Sequence, residues 1–252
     1  MERYTDYDPF AWLYANYWGD DFHREALPAL DRLLLQRLPK GAALLDLCCG
    51  DGRISLDLHR RGFKVTGLDG SERMLTLAQQ RAPKVRFLLA DARCFQFAEE
   101  FDAVISTFDS LNHVLESREL RKVFDNVHQA LKSGGWFVFD LNREQAYEDF
   151  WAHNSHTVDA DAVSVARGVF DPKTGLAICD VTLFEKQGLS WERSDFQLTQ
   201  RYHRPETVMA ALKRAGFSAQ RLDAAVDLGM QGDSGHGRDF YLARKRSVKS
   251  SS

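Results

Sequence analysis

Apolar and polar positions follow two different rhythms along this chain. Between residues 42 and 141, short apolar runs alternate with stretches whose apolar side chains recur every three or four positions. The runs at 42–47, 63–68, 85–90, 101–107 and 135–141 predict strands, and the stretches at 52–61, 71–81 and 117–132 predict helices. Ser71 offers a capping start ahead of Met74, Leu75 and Ala78. Ser133-Gly134-Gly135 offers a glycine stop. Such alternation predicts a mostly parallel sheet with helices on both faces and right-handed crossovers. From 155 to 203 the rhythm shortens. Val163, Val165, Arg167 and Val169 alternate along one strand, the turn Asp171-Pro172-Lys173-Thr174-Gly175 follows, and two more strand patterns cover 176–186 and 191–203. This predicts an inserted antiparallel β lid. A helix at 205–215 and strands at 217–225 and 239–245 then complete the main sheet with an antiparallel hairpin.

The first forty residues hold a helical pattern at 24–38. Ahead of it lie Tyr4, Tyr7, Phe10, Trp12, Tyr14, Tyr17, Trp18 and Phe22. These aromatics pack the helix on the core, and their number also suits a cap over a flat or cationic ligand. The expected organisation is one domain over 1–246: a cap at 1–40, a core at 41–150 and 204–246, and the insertion at 155–203. The polar tail at 247–252 is expected to be disordered.

In open α/β sheets, ligands bind beyond the carboxyl ends of the strands. Asp46, Asp69, Asp91 and Thr107-Phe108-Asp109 all fall there. The first strand runs through Leu44-Leu45-Asp46-Leu47-Cys48-Cys49 into Gly50-Asp51-Gly52. A dinucleotide site wants a third glycine, G-x-G-x-x-G. In either register that position is Arg53 or Ser55, so an NAD-dependent oxidoreductase is disfavoured. Asp46-x-x-x-Gly50-x-Gly52 instead resembles motif I of the class I S-adenosylmethionine (SAM) dependent methyltransferases. Over roughly residues 4 to 245 the chain is similar to the small-molecule branch of that class, which includes amino-sugar and glycine-type N-methyltransferases. The physics agrees: SAM lacks a pyrophosphate to be cradled and carries a sulfonium and an ammonium, which an acid favours.

The resemblance implies a Rossmann-like, seven-stranded sheet with SAM as cofactor and S-adenosylhomocysteine as product. It puts Asp46, Cys48, Gly50 and Gly52 around the methionine part of SAM, with cysteine standing at 48 where the family often has glycine. It puts Asp69 on the ribose hydroxyls beside Gly70, Met74 against adenine, and Asp91 with Ala92 at the adenine amino group. Thr107 and Phe108 complete the cofactor set. The segment from Phe101 to His113 resembles the fourth strand and its exit loop, where the methyl group meets the acceptor. Asp109, Asn112 and Tyr14 are therefore candidate acceptor contacts, together with Tyr202 and Arg204 at the end of the insertion. His113 is the candidate general base, since imidazole titrates near neutrality. The loop lacks Asn-Pro-Pro-Tyr and a Pro-Cys nucleophile, which lowers the expectation of a nucleic-acid base as acceptor.

Charge and cysteine use narrow the class further. The formal net charge is −3, so the chain as a whole carries no basic footprint for nucleic acid. No apolar run reaches membrane-spanning length, and Met1-Glu2-Arg3-Tyr4-Thr5-Asp6 is not a signal peptide. Cys48, Cys49, Cys94 and Cys179 have neither zinc-ligand nor disulfide-framework spacing. His59 and His128 read as solvated helix faces, and no metal site is expected. The reading is a cytoplasmic SAM-dependent enzyme that methylates nitrogen or oxygen of a small molecule, with a homodimer surface on the inserted sheet. A methyltransferase of RNA or protein and a non-catalytic SAM-binding subunit are the alternatives.

Overall fold

The computed structural model describes residues 7–246; Tyr4 and the tail at 247–252 lie outside them. Short helical turns at Ala11–Leu13 and Tyr14–Trp18 lead into α1 (Gly19–Leu33). This helix starts five residues before the apolar period suggested. Asp20 and Asp21 fill its first turn, where a helix favours negative charge. The core then alternates β1 (Ala43–Leu47), α2 (Arg53–Arg60), β2 (Lys64–Asp69), α3 (Glu72–Arg81), β3 (Arg86–Leu89), β4 (Phe101–Ser106), α4 (Ser117–Ala130) and β5 (Leu131–Asn142). Next come four strands, β6 (Asn154–Val158), β7 (Ala162–Asp171), β8 (Leu176–Gln187) and β9 (Ser190–Arg201). The chain ends with α5 (Pro205–Arg214), β10 (Phe217–Asp223) and β11 (Arg238–Lys245).

The main sheet has seven strands in the order β10-β11-β5-β4-β1-β2-β3. Only β11 breaks the parallel arrangement, pairing antiparallel with both β5 and β10. One face is covered by Leu120, Val123, Phe124 and Val127 of α4 and by Val208 and Leu212 of α5. The other meets Phe22, Ala26, Leu30 and Leu33 of α1 and Ile54 and Leu58 of α2. His128 is half-buried rather than fully solvated as its helix position suggested: it packs edge-on at 5.2 Å against Phe217, and partial burial lowers its pKa.

The second sheet has four antiparallel strands in the order β6-β7-β8-β9, one more than the sequence pattern predicts. The unexpected β6 is the exposed edge, and its Asn-Ser-His-Thr run has no apolar alternation to betray it. The inner face, with Ala162, Ala166, Cys179, Val181 and Leu198, packs on Phe10, Leu13 and Met74. The insertion therefore lies over the N-terminal segment and α3. At Gly168 an added Cβ would sit 1.5 Å from the Trp151 carbonyl oxygen, so only glycine lets residues 147–151 cross β7 here.

Candidate active site

The turn after β1 is built from left-handed residues: Cys48 at φ 60°, Gly50 at 53° and Gly52 at 78°. Glycine adopts this region freely, whereas Cys48 holds it at a cost of roughly 1–2 kcal/mol. Gly52 is needed for contact as well, since a Cβ there would lie 2.9 Å from Ala78 Cβ on α3. The Gly50 amide donates to Asp69 Oδ2 at 2.8 Å, and the Ser71 amide to Oδ1 at 2.9 Å, which orients the carboxylate at the end of β2. Ser71 Oγ in turn donates to Asp8 of the N-terminal segment at 2.6 Å. Arg53 ties the same segment down, donating to the Ala15 carbonyl at 2.7 Å and pairing with Asp20 and Asp51.

Asp46 is buried, and Ser55 Oγ donates to it at 2.6 Å. Removal from water pushes its pKa up to about 7 and that of Asp69 up to about 6. Asp91 accepts from the Arg93 amide at 2.7 Å and from its guanidinium at 2.6 and 2.9 Å. Part of its acceptor capacity is thus already used.

A cavity of about 650 Å³ runs beyond the strand ends, between the N-terminal segment and the four-stranded sheet. Asp46, Cys48, Gly50, Asp69, Gly70, Met74, Asp91, Ala92, Thr107, Phe108, Asp109, His113 and Tyr14 all line it. The loop after β4 is held by Asp140, a fully buried carboxylate on β5. Its oxygens accept the amides of Phe108 at 2.7 Å and Asp109 at 2.9 Å, two residues with φ of 62° and 47°. Arg238 of β11 pairs with Asp140 and donates to Asp109 Oδ1 at 3.0 Å. Its guanidinium stacks 4.8 Å above Phe22, itself stacked on Phe108 at 4.2 Å. Farther in, His113 Nε2 lies 2.7 Å from the Tyr7 hydroxyl and 3.0 Å from Gln200 Nε2, and Nδ1 lies 2.9 Å from the Thr199 carbonyl.

Four expected residues stand outside the cavity lining. Gly52 is packed behind the turn. Asn112 is fully buried, donating to the Arg201 carbonyl at 2.8 Å and accepting the Asn142 amide at 3.0 Å, so it ties the loop to two strands. Tyr202 and Arg204 line a separate, smaller cleft with Lys173 and Thr207, because β9 stops at Arg201 and the chain turns away before α5. Conversely, Gln200 and Arg238 line the cavity without having been expected there, and Tyr7, expected only among the cap aromatics, lines it as well. Asp140 did leave a signal: it interrupts the apolar run Trp136-Phe137-Val138-Phe139, and a buried acid demands a partner.

A methyltransferase domain family matches residues 44–135, the span from β1 into β5. A Bacillus subtilis (strain 168) protein assigned as a methyltransferase, YqeM, is 32% identical over 192 residues, covering 74% of this chain and 78% of its own length. The dTDP-4-amino-2,3,4,6-tetradeoxy-D-glucose N,N-dimethyltransferase of Saccharopolyspora spinosa is 27% identical, covering 82% and 83%. Among solved structures, the sugar N-methyltransferase KedS8 from Streptoalloteichus sp ATCC 53650 superposes with a TM-score of 0.79 at 21% identity over 93% of this chain and 92% of that one. SAM-bound CalS10, an amino pentose methyltransferase from Micromonospora echinaspora, gives 0.69 at 22% identity over 97% and 99%. Fold and site define a class I methyltransferase. The chain belongs to the SAM-dependent methyltransferase family, and SAM is its cofactor.

Proposed function

We propose that the protein transfers a methyl group from SAM to nitrogen or oxygen of a small-molecule acceptor. One observation carries the reading: a single cavity continues from the acid-lined strand ends to the Tyr7–His113–Gln200 cluster beneath the four-stranded sheet. A cofactor and an acceptor that must meet end to end need such a shared space. Relatives named for amino-sugar N,N-dimethylation support a small acceptor, and a net charge of −3 weighs against nucleic acid. Four free cysteines support the cytoplasmic setting. No helix among the described residues is long and apolar enough to cross a membrane. Val165, Val169 and Trp191, exposed on the outer face of the inserted sheet, support a homodimer through it. Residues 1–246 then act as one domain, with 1–40 as cap and 155–203 as lid.

SAM supplies a methyl group on a sulfonium, open to in-line displacement without protonation of the leaving group. Asp69, held by two backbone amides, accepts from the ribose hydroxyls. Asp46 faces the positive charges of the methionine part, beside Cys48, Gly50 and Thr107. Gly70 lies beside Asp69 at the ribose, Met74 and Ala92 enclose adenine, and Asp91 stands at its edge. Tyr14 closes over Gly50, and a Cβ on that glycine would lie 3.7 Å from its ring. Phe108 walls the junction between the two halves, Asp109 faces the acceptor, and His113 takes the proton that the acceptor amine or hydroxyl gives up.

Calorimetry with SAM, S-adenosylhomocysteine and NAD tests the cofactor half. Binding of NAD alone would overturn it. Mass spectrometry after incubation with SAM and pooled metabolites tests the acceptor half. Asp69→Ala is expected to weaken SAM binding by about 1.5–3 kcal/mol while the protein stays folded; unchanged affinity would remove Asp69 from the ribose.

The raised acids predict a pH dependence. Both stay protonated in the folded protein where the unfolded chain has lost the proton. Their contribution to stability is full below the ordinary value of 3.8 and is lost as pH rises through about 6 and 7. A cationic ligand prefers the ionised acids, so its affinity rises over the same range. We expect SAM to bind roughly tenfold more tightly at pH 7.5 than at 5.5, about one pKa unit of linkage. S-Adenosylhomocysteine, without the sulfonium, should change less. Equal slopes for the two ligands in calorimetric titrations would remove Asp46 from the sulfonium end.

A further inference from the structure

We infer that Gln200, on the inserted sheet, is a positioning residue that fixes His113 with its proton on Nδ1 and leaves Nε2 bare. The meaning of this for catalysis rests on the acceptor-site reading above; the geometry stands by itself. His113 Nδ1 lies 2.9 Å from the Thr199 carbonyl oxygen. A carbonyl only accepts, so Nδ1 carries the hydrogen.

The other ring nitrogen is fixed by an independent route. Gln200 Nε2 lies 2.6 Å from Asp109 Oδ2, and Gln200 Oε1 accepts from the Tyr147 hydroxyl at 2.9 Å. Turning the amide over would set its oxygen against that carboxylate. The carboxylate is itself pinned through Oδ1 by Arg238 at 3.0 Å. The amide NH2 therefore faces Asp109 and also His113 Nε2 at 3.0 Å. Its two hydrogens serve one partner each, and a donor aimed at Nε2 requires that nitrogen to be unprotonated. Both routes reach the same tautomer. Gln200 and Arg238 are at most 4% exposed and His113 and Asp109 at most 9%, so water offers little relief to two opposed donors.

The consequence is directional. The single Nε2 lone pair takes the Gln200 N–H and, from inside the cavity, the Tyr7 O–H at 2.7 Å, so the acceptor's proton reaches it by relay: Tyr7 passes its own hydrogen to Nε2 and takes the acceptor's in its place. The reverse tautomer would present an N–H there and take none. A strand of the insertion thus sets the proton state of a residue that belongs to the core.

The test is long-range proton–nitrogen NMR of the full chain, labelled with nitrogen-15 and saturated with S-adenosylhomocysteine, at pH 7.5. His113 is assigned by the signal lost in His113→Asn. The expected pattern is a protonated Nδ1 and a bare Nε2. In Gln200→Glu an acceptor replaces the donor, and both nitrogens are expected to become protonated. A wild-type spectrum with the proton on Nε2 overturns the inference, as does a folded Gln200→Glu protein with unchanged imidazole signals. Should that variant not fold, the wild-type pattern decides alone. Failure of S-adenosylhomocysteine to bind would count against the cofactor-site reading instead, and the spectrum of the ligand-free protein then carries the test.

Discussion

Replacing Arg238 with methionine is expected to destabilise the protein by about 3–5 kcal/mol, the usual consequence of removing one partner from a buried ion pair. Arg238 is buried between Asp140 and Asp109, two carboxylates to one guanidinium. Methionine keeps most of the volume but leaves both acids without their cation. Against a total stability of about 5–15 kcal/mol this is a large share, and the melting temperature should fall by roughly 6–20 °C. The sign of the pH dependence separates charge from packing. Burial already raises the Asp140 pKa, with Arg238 opposing the rise. Without Arg238 the carboxyl rises further, and a raised acid supports the fold at low pH and loses that support as pH increases. Thermal melts should therefore show the largest deficit near pH 8 and a small one near pH 4.5. Equal deficits would mean that Arg238 acts through its stacking on Phe22. Adding Asp140→Asn should recover part of the loss at pH 8.

Gly52→Val is expected to cost about 2–5 kcal/mol, from two sources. A β-branched residue in the left-handed region is strained by roughly 1–2 kcal/mol, and overpacking against α3 adds about 1–3 kcal/mol. The neighbours are Ala78 Cβ at 2.9 Å, Ala78 Cα at 3.1 Å and Phe87 Cζ at 3.2 Å. Backbone and core atoms cannot swing aside as a flexible side chain would. Gly50 is a contrast: its nearest neighbour to an added Cβ is Tyr14 at 3.7 Å, an ordinary contact, so Gly50→Ala should show the conformational cost alone. Melts of Gly52→Val, Gly52→Ala and Gly50→Ala should rank in that order of loss. If Gly52→Val melts with the wild type, the close approach of α3 is wrong.

Strand ends and the glycine turn were legible in the sequence because both arise from local spacing. Asp46, Asp69 and Asp91 sit where apolar runs stop, and Gly50 and Gly52 sit between a strand and a helix. In the far half of the cavity Asp109 and His113 were legible from the loop after the fourth strand, but the partners that hold them were not, because these meet only through topology. Arg238 reaches Asp109 across 129 positions and Gln200 reaches the same side chain across 91. Each depends on β11 entering beside β5, or on the insertion folding back over the core. Tyr202 and Arg204 misled for a related reason. Strand alternation foretells which face a residue takes, but not that β9 ends at Arg201 and turns toward another cleft. The edge strand β6 escaped because an exposed edge needs no apolar period.

The N-terminal segment bears on the order of events in turnover. It is tied to the strand ends by Asp8 on Ser71 and by Arg53 on the Ala15 carbonyl, and it brings Tyr7 to His113 beneath the four-stranded sheet. On the proposed reading, with SAM at the strand ends and the acceptor at Tyr7 and His113, a segment fastened at both ends of the cavity would bar the cofactor path while in place and would be needed to complete the acceptor end. This favours a compulsory sequence in which SAM enters first and S-adenosylhomocysteine leaves last. Initial-rate measurements should then give intersecting lines, with S-adenosylhomocysteine competing against SAM alone.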